Sequence, residues 1–249
     1  MATDIDRHNE EIQRNLALWR KKPVLQKIYR QMHQEIALEL SSDIDGKIVE
    51  LGSGIGNIKD VIPDCLRTDL FPNPWLDQTE NAYALSFDKE TIANLILFDV
   101  FHHLRYPGTA LREFHRALKT GGRVLIYEPY ISLLGKLVYG PLHHEPIAWN
   151  KKIEWLAPAN WSADSVDYYA AQGNATRIFA NRRREFASDD WRMIKCTRYT
   201  QISYAASGGY SQPQLYPASA YGIMRMLDRG LNVLPSIFAT RVLVVLEKT

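Results

Sequence analysis

The chain has 249 residues, of which 46% are hydrophobic and 23% are charged, a composition typical of globular proteins. Its formal net charge of +2 creates no strong field that would favour nucleic acid or an acidic lipid surface as a partner. The two cysteines are widely separated, and the polar N-terminus is unlike a signal peptide. The apolar runs are too short to span a membrane. We therefore expect a cytoplasmic protein without stable membrane insertion.

The first part of the chain predicts a pair of helices. Apolar residues recur at three- and four-residue steps across residues 6–41. Pro23 is expected to begin the second helix, because proline is tolerated in a first turn. We interpret residues 1–45 as a helical cap on a single domain that covers residues 1–249.

Short strands and helices alternate in the next part of the chain. Strands are predicted at Lys47–Leu51, in "CLRTDL" up to Asp69, in "ANLILF" (93–98) and in "RVLIYEP" (123–129). A short helix is predicted before Pro63, and an amphipathic helix over 107–118 is expected to end at a glycine cap in "KTGG". This alternation predicts an α/β fold with a doubly wound sheet, whose core we assign to residues 46–130.

The pattern changes after residue 130. Residues 131–195 contain four tryptophans, two adjacent histidines and the basic run "NRRREF", and we interpret them as a cap insertion. Residues 196–249 predict two closing strands, at 198–207 and 240–249, around a helix near 218–230.

A glycine-rich stretch, "GSGIG" at residues 52–56, directly follows the first strand. In doubly wound folds ligands bind at this edge of the sheet, but a dinucleotide site prefers the spacing G-x-G-x-x-G. Glu50 would repel a pyrophosphate, whereas it would attract the ammonium and sulfonium groups of S-adenosyl-L-methionine. Spacing and charge therefore favour S-adenosyl-L-methionine over NAD. Asp69, at the end of the second strand, is placed to accept hydrogen bonds from ribose hydroxyls.

Several motifs resemble a known family. "VELGSGIGN", "TDL", "NAYALSF" and "LFDVFHHL" followed by "ALKTGGRVLIYEP" resemble the motifs of class I S-adenosylmethionine-dependent methyltransferases, in particular the branch described as methyltransferase type 11. Further along, "YGPLHHEP", "GNATRIF" and "SGGYS" resemble a bacterial subgroup of that branch. The resemblance implies a Rossmann-like seven-stranded sheet with an antiparallel last strand. It also implies methylation of oxygen or nitrogen on a small-molecule acceptor.

The resemblance also assigns residues to the cofactor. It places the methionine part on Glu50 and the glycine backbone, and the ribose on Asp69. Where the family commonly has an acidic residue that accepts from the adenine amino group, this chain has Asn81, whose amide oxygen can accept the same bond without charge. The implied cofactor-binding residues are Glu50, Gly52, Ser53, Gly54, Gly56, Asp69, Leu70, Asn81, Ala82, Asp99 and Val100.

Histidines are the candidates for catalysis. Methyl transfer depends mainly on holding acceptor and methyl group in line, and a general base is needed when the acceptor is a hydroxyl. His144 and His143 are the first candidates, with Glu145 to orient one of them, and His103 and His102 are the next. Each pair could instead serve only the structure. The spacing of these histidines does not favour a metal site.

Three other functions stay open at the level of sequence. An NAD-dependent dehydrogenase shares the fold but predicts the other glycine spacing. A nucleic-acid methyltransferase would usually carry a basic domain. A non-catalytic methyltransferase-like partner subunit predicts a damaged cofactor motif, whereas Glu50, the glycines and Asp69 are intact. We expect a small-molecule acceptor, no nucleic-acid partner, and an acceptor pocket between residues 131–195 and the N-terminal helices.

Overall fold

The computed structural model describes residues 4–141, 147–164, 169–181 and 189–249. The α-helices of these residues are Asp4–Lys21 (α1), Pro23–Ala37 (α2), Pro107–Ala117 (α3), Leu133–Tyr139 (α4), Ile202–Ser207 (α5), Tyr221–Leu231 (α6) and Pro235–Phe238 (α7). The strands are Lys47–Leu51 (β1), Leu66–Asp69 (β2), Gln78–Thr79 (β3), Ile92–Phe98 (β4), Leu118–Pro129 (β5), Trp191–Tyr199 (β6) and Arg241–Lys248 (β7). Single 3₁₀ turns cover Asn57–Asp60, Phe101–His103 and Ala218–Ala220, and a π-helical segment covers Thr176–Asn181.

The strands form one sheet in the order β3-β2-β1-β4-β5-β7-β6. Neighbours from β3 to β5 pair in parallel, while β7 runs antiparallel to both β5 and β6. The predicted fold class, a Rossmann-like seven-stranded sheet with an antiparallel last strand, is confirmed. The strand order reverses between β1 and β4, and this switch point is where doubly wound sheets bind ligands.

Helices cover both faces of the sheet because its central strands are apolar on both sides. Every residue of β4 is buried. On one face the core includes Leu111 and Phe114 of α3, and on the other it includes Leu25 and Met32 of α2. Burying each such side chain stabilises the fold by roughly 1.5–3 kcal/mol. The double layer holds the carboxyl ends of β1 and β4 in fixed positions.

The junction between α1 and α2 is tied to a distant loop. Pro23 begins α2, as the sequence predicts. The preceding Lys22 is buried, and its Nζ donates to the carbonyl oxygens of Gly209 at 2.7 Å and Gln212 at 2.6 Å. Burial lowers the pKa of Lys22. The N-terminal helices and the loop after α5 are therefore held together at one edge of the sheet.

The predicted glycine cap at the end of α3 is wrong. The helix ends at Ala117, and Leu118 is already extended and paired with Ile92 as the first residue of β5. The next paired residue after a register shift is Arg123, opposite Asn94, so "KTGG" forms an irregularity within the strand. Complete burial of Leu118 against the sheet explains why the helix stops before the glycines.

The predicted strand at 198–207 is also wrong. The strand β6 occupies Trp191–Tyr199, and the following "ISYAAS" is the helix α5. Because β6 is an edge strand, its residues are mostly half-buried. Basic residues recur at every third position, at Arg192, Lys195 and Arg198, a pattern that resembles a polar insertion in sequence. The sheet therefore resumes before the end of the predicted cap insertion at residue 195. The other predicted closing elements are confirmed, as α6 and β7.

Candidate active site

A cavity of about 640 Å³ opens at the carboxyl ends of β1 and β4, at the switch point of the sheet. Its walls come from the glycine loop after β1, the end of β4, both N-terminal helices, the end of α4, the loop after α5 and the start of β7. Gln172, from the predicted insertion, also lines it. A cavity of this size at this position suits a ligand of the size of a cofactor.

The glycine loop has backbone dihedral angles that residues other than glycine rarely adopt. Gly52, Gly54 and Gly56 have φ angles of 69°, 51° and 70°. A Cβ at Gly52 would overlap Cγ2 of Val100, and one at Gly56 would lie 2.9 Å from Cδ of Arg67. The three glycines therefore let the loop close tightly over the end of the sheet.

Ser53 fixes the glycine loop to the neighbouring strand. Its N–H donates to the carbonyl oxygen of Thr68 at 2.8 Å, and its hydroxyl accepts from the Thr68 N–H at 3.1 Å. Thr68 in turn donates its hydroxyl proton to the carbonyl oxygen of Glu50 at 2.8 Å. These bonds join the ends of β1 and β2 and hold the loop beside the cavity.

Glu50 places a carboxylate in the cavity wall. The residue is 3% exposed, and among the described residues its Oε2 has no hydrogen-bond partner. Burial is the largest cause that raises its pKa, to about 7, and the nearby charge of Asp69 acts in the same direction. A buried carboxylate without a partner is costly, so this atom fits a cationic ligand group such as an ammonium.

Asp69 ends β2 beside the cavity, outside its lining. Its carboxylate accepts from the Gly54 N–H at 3.1 Å and from the Leu70 N–H at 2.8 Å. On the opposite side is α1, whose His8 has Nε2 at 3.7 Å from Oδ1 of Asp69. Ile12 of α1 is also buried, and a Cβ added at Gly54 would lie 3.7 Å from its Cδ1. The N-terminal helix thus covers this end of the predicted cofactor site.

Asn81 also lies outside the lining of the cavity. Its Oδ1 accepts from the Tyr83 N–H at 3.0 Å, and its Nδ2 donates to the Ala163 carbonyl oxygen at 2.7 Å. Ala82 packs against the apolar core, and Leu70 is partly exposed. The contacts of Asn81 are to backbone groups, and its predicted bond to adenine stays a prediction.

An ion pair between a half-buried aspartate and a buried arginine lies just after the end of β4. Asp99, at a positive φ of 55°, lines the cavity and pairs with the guanidinium of Arg241. Arg241 is 1% exposed, and its guanidinium carbon lies 4.6 Å from the centre of the Tyr204 ring. Val100, which was predicted beside Asp99 in the cofactor site, packs against the glycine loop at Gly52, and its contact with the cofactor stays a prediction.

His102 belongs to a buried group of polar side chains in the cavity wall. Its Nδ1 lies 2.7 Å from Oε2 of Glu128, and its Nε2 lies 3.2 Å from Nε2 of Gln172. Both His102 and Glu128 are almost completely buried. His103 also lines the cavity, and its Nδ1 lies 2.8 Å from the Tyr169 carbonyl oxygen. A histidine held by a carboxylate has the arrangement of a general base and the group that orients it.

The first catalytic candidates, His143, His144 and Glu145, lie outside the described residues, so their role stays a prediction. Within the described ranges, no group of three or more histidine, cysteine, aspartate or glutamate side chains could hold a metal ion. The helices of those ranges likewise include none that is long and apolar enough to cross a membrane.

Several residues of the cavity wall were missed by the sequence analysis. Glu128, the residue before the last of β5, does not line the cavity itself but pairs with the lining residue His102, and the rule that placed Asp99 at the carboxyl end of its strand could have found it. Other missed wall residues lack such a signal, because the helices and loops that carry them meet only in the folded chain. They are His33, Tyr139, Gln172, Tyr204, Tyr210 and Arg241.

Comparison with known proteins identifies the central part of this chain. The family model described as methyltransferase domain matches residues 50–126, the segment from Glu50 to the middle of β5. The match covers less than half of the chain, and these residues are similar to the methyltransferase-domain family. The resemblance to class I S-adenosylmethionine-dependent methyltransferases is confirmed, and S-adenosyl-L-methionine is the cofactor of this family. No curated protein sequence matches the chain.

Solved structures share the fold at low sequence identity. A chain from the complex of the Haloferax volcanii methyltransferase activator Trm112 with a candidate methyltransferase has a TM-score of 0.54 at 14% identity, covering 98% of this chain and 97% of that chain. A Thermotoga maritima methyltransferase, described as a possible histamine N-methyltransferase, has a TM-score of 0.54 at 12% identity, covering 96% and 98%. The geranyl diphosphate C-methyltransferase of Streptomyces coelicolor has a TM-score of 0.51 at 12% identity, and the match covers 90% of this chain and 80% of that chain.

Proposed function

We propose that the chain transfers the methyl group of S-adenosyl-L-methionine to an oxygen or nitrogen of a small-molecule acceptor. The observation that carries the proposal is Oε2 of Glu50, which is buried in the wall of a cavity beside the glycine loop and has no hydrogen-bond partner among the described residues. Ammonium is the group that this carboxylate suits, and the methionine part of the cofactor carries one. A pyrophosphate at the same place would be repelled.

The residues that would hold the cofactor follow from the same geometry. Glu50 would bind its ammonium, and the backbone of the glycine loop would pack against its methionine part. Asp69 keeps unused lone pairs beyond its two backbone bonds, so it can still accept from ribose hydroxyls. When bound, S-adenosyl-L-methionine supplies a methyl carbon whose bond to sulfur breaks with the electron pair staying on the sulfur.

His102 is the described residue best suited to accept a proton from the acceptor. The carboxylate of Glu128 fixes the proton of the imidazole on Nδ1, which leaves Nε2 as the basic nitrogen on the side of Gln172. Because this nitrogen accepts from Nε2 of Gln172, an acceptor hydroxyl must first displace that amide, and it would then give up its proton to His102 as its oxygen bonds to the methyl carbon. In this proposal Glu128 orients His102, while the orienting role expected of Glu145 stays a prediction.

The charge of the cavity favours a small molecule over nucleic acid. Arg241 is the one lysine or arginine among the described lining residues, and it is paired with Asp99. A nucleic acid acceptor needs unpaired cations for its phosphates. The formal net charge of +2 supplies no strong field of its own.

Calorimetry tests the proposal directly. Titration with S-adenosyl-L-methionine, its demethylated product S-adenosyl-L-homocysteine and NAD should give binding of the first two and no measurable binding of NAD. Binding of NAD without the other two would overturn the cofactor assignment. Methyl transfer from radiolabelled S-adenosyl-L-methionine to small hydroxylated or amino compounds then tests the activity itself.

A further inference from the structure

One part of the cavity is built from aromatic rings. Tyr29 and His33 of α2, Phe98 at the end of β4, and Tyr204 and Tyr210 around the loop after α5 all line it. Tyr29 contacts Phe98, Tyr204 and Tyr210 with ring centres 5.3, 6.2 and 5.5 Å apart. We call these five residues the aromatic wall. Such a surface suits a flat, apolar-faced ligand.

The aromatic wall carries no free charge. Arg241, which contacts the rings of Phe98 and Tyr204, is already neutralised by Asp99. Burial raises the pKa of Tyr29 and of Tyr204, so these phenols stay protonated at neutral pH. A carboxylate or phosphate on the ligand would have to compete with Asp99 for the same guanidinium.

His33 adds a buried polar side chain to the aromatic wall. It is 2% exposed, and its ring lies edge-on to Tyr29 and Phe98 at 6.0 and 5.3 Å. Within the described part of the chain, its ring nitrogens make no hydrogen bond or ion pair. Burial lowers the pKa of His33 to about 3, so the ring is neutral at physiological pH. A neutral imidazole offers one donor and one acceptor, the pair that a hydroxyl group complements.

We infer that the methyl acceptor is an uncharged aromatic compound with ring hydroxyl groups, held face to face or edge to face against the aromatic wall, with one hydroxyl bonded to His33. The inference rests on the proposed function, because the cofactor and the acceptor must share this cavity. It goes further in naming the class of acceptor and the residue that selects it. In this inference His33 binds the acceptor, whereas His102 takes up its proton.

Four probes of similar size test the class. Protein saturated with S-adenosyl-L-homocysteine is titrated with catechol, benzoate, benzylammonium and toluene, and each dissociation constant is measured by calorimetry or ligand-observed NMR. Catechol should bind at least about tenfold more tightly than any of the others, the worth of one or two net hydrogen bonds without a charge penalty. Benzoate or benzylammonium binding as tightly as catechol would overturn the inference.

His33 variants separate hydrogen bonding from packing. His33→Phe keeps an aromatic ring, and it should weaken catechol binding roughly tenfold while leaving toluene and S-adenosyl-L-homocysteine unchanged. His33→Gln restores an amide donor and acceptor and should recover most of the affinity. His115→Phe is the matched control, since His115 packs edge-on against Trp191 and does not line the cavity.

The outcomes distinguish the two proposals. Failure of the wild-type protein to bind S-adenosyl-L-homocysteine would overturn the proposed function. Binding of S-adenosyl-L-homocysteine with no preference for catechol would overturn the acceptor class alone. If the His33→Phe protein is folded and binds catechol as tightly as the wild type, the hydrogen bond from the acceptor to His33 is overturned.

Discussion

Two glutamates, Glu50 and Glu35, have pKa values raised to about 7, and burial is the largest cause in both. Their surroundings differ. Glu35 accepts hydrogen bonds from the Tyr127 hydroxyl at 2.9 Å and from Gln31 at 2.7 Å. Oε2 of Glu50 has no such partner among the described residues, and Glu50 faces the cavity. The same shift in pKa therefore accompanies a structural contact at Glu35, whereas at Glu50 it accompanies the residue that we propose as the ligand for the cofactor ammonium.

Glu50→Gln should stabilise the ligand-free protein and impair cofactor binding. The folded chain holds a proton on Glu50 more tightly than the unfolded chain, whose pKa is near 4.5. The free energy of unfolding therefore falls as the pH rises from about 4.5 through about 7. The amide removes this loss, so at pH 8 the variant should gain roughly 1–3 kcal/mol. Its affinity for S-adenosyl-L-homocysteine should fall roughly tenfold to a hundredfold.

Glu35→Gln is the matched control for that experiment. It should also flatten the dependence of the free energy of unfolding on pH, because the same linkage applies. Its affinity for S-adenosyl-L-homocysteine should stay that of the wild type, since Glu35 does not line the cavity. Urea unfolding at pH 5 and pH 8, with calorimetry of each variant, measures both effects. Equal loss of affinity in the two variants would contradict the assignment of Glu50.

His102→Ala should lower turnover roughly 10²–10⁴-fold with a hydroxylated acceptor, the usual contribution of a positioned base. Glu128→Gln should lower turnover less, because the amide still holds the ring but no longer stabilises its protonated form. Affinity for S-adenosyl-L-homocysteine should change little in both. His103→Ala provides the comparison within the same turn. If His102→Ala keeps full turnover, the base must be sought at His143 or His144.

At the scale of elements, the glycine loop and the turn after β4 are shaped to fit one another. Gly52→Ala places a methyl group into Cγ2 of Val100 at a φ of 69°, and it should destabilise the fold by roughly 1–3 kcal/mol. Adding Val100→Ala removes the overlapping atom, so the double variant should recover part of that loss. Gly222→Ala in α6 is the control, because nothing lies within 4 Å of its added methyl group. Additive losses in urea unfolding would show that the two elements are not coupled.

The elements that sequence predicts well are those with one clear pattern. The buried run of β4 and the amphipathic α3 have patterns typical of a central strand and a surface helix. Prediction from sequence failed where one pattern is compatible with two structures. Glycines in "KTGG" serve equally as a helix cap or as an irregularity in a strand, and the recurring basic residues of β6 resemble a loop until β7 is paired with it.

The candidate site divides in the same way. Glu50 and the glycines can be predicted, because they follow one strand and act through local geometry. The pairing of His102 with Glu128 joins residues that are 26 positions apart, and His33 reaches the cavity from α2. Such contacts depend on how helices pack on the sheet, which a single sequence does not specify.

At the scale of the whole molecule, the cavity is closed by parts from both ends of the chain. The helices α1 and α2 form one side, and residues 208–213 after α5 form another. Lys22 joins them, since its buried ammonium bonds to the carbonyl oxygens of Gly209 and Gln212. We expect the shape of the acceptor end of the cavity to depend on this one link.

Lys22→Met tests the link between the two ends of the chain. Methionine keeps the apolar stem of the side chain but leaves the loop carbonyls without their charged donor, a loss worth roughly 1.5–3 kcal/mol for the local structure. Amide hydrogen exchange across residues 208–213 should therefore speed up by about tenfold or more, while the amides of β4 keep their protection. Lys21→Met, one position earlier and exposed, should change neither. The variant should also bind aromatic ligands more weakly, because Tyr210 belongs to the loop that loses its anchor. Unchanged exchange in the loop of a folded Lys22→Met protein would contradict this view, and it would leave packing of α5 on α2 as the contact that closes the cavity.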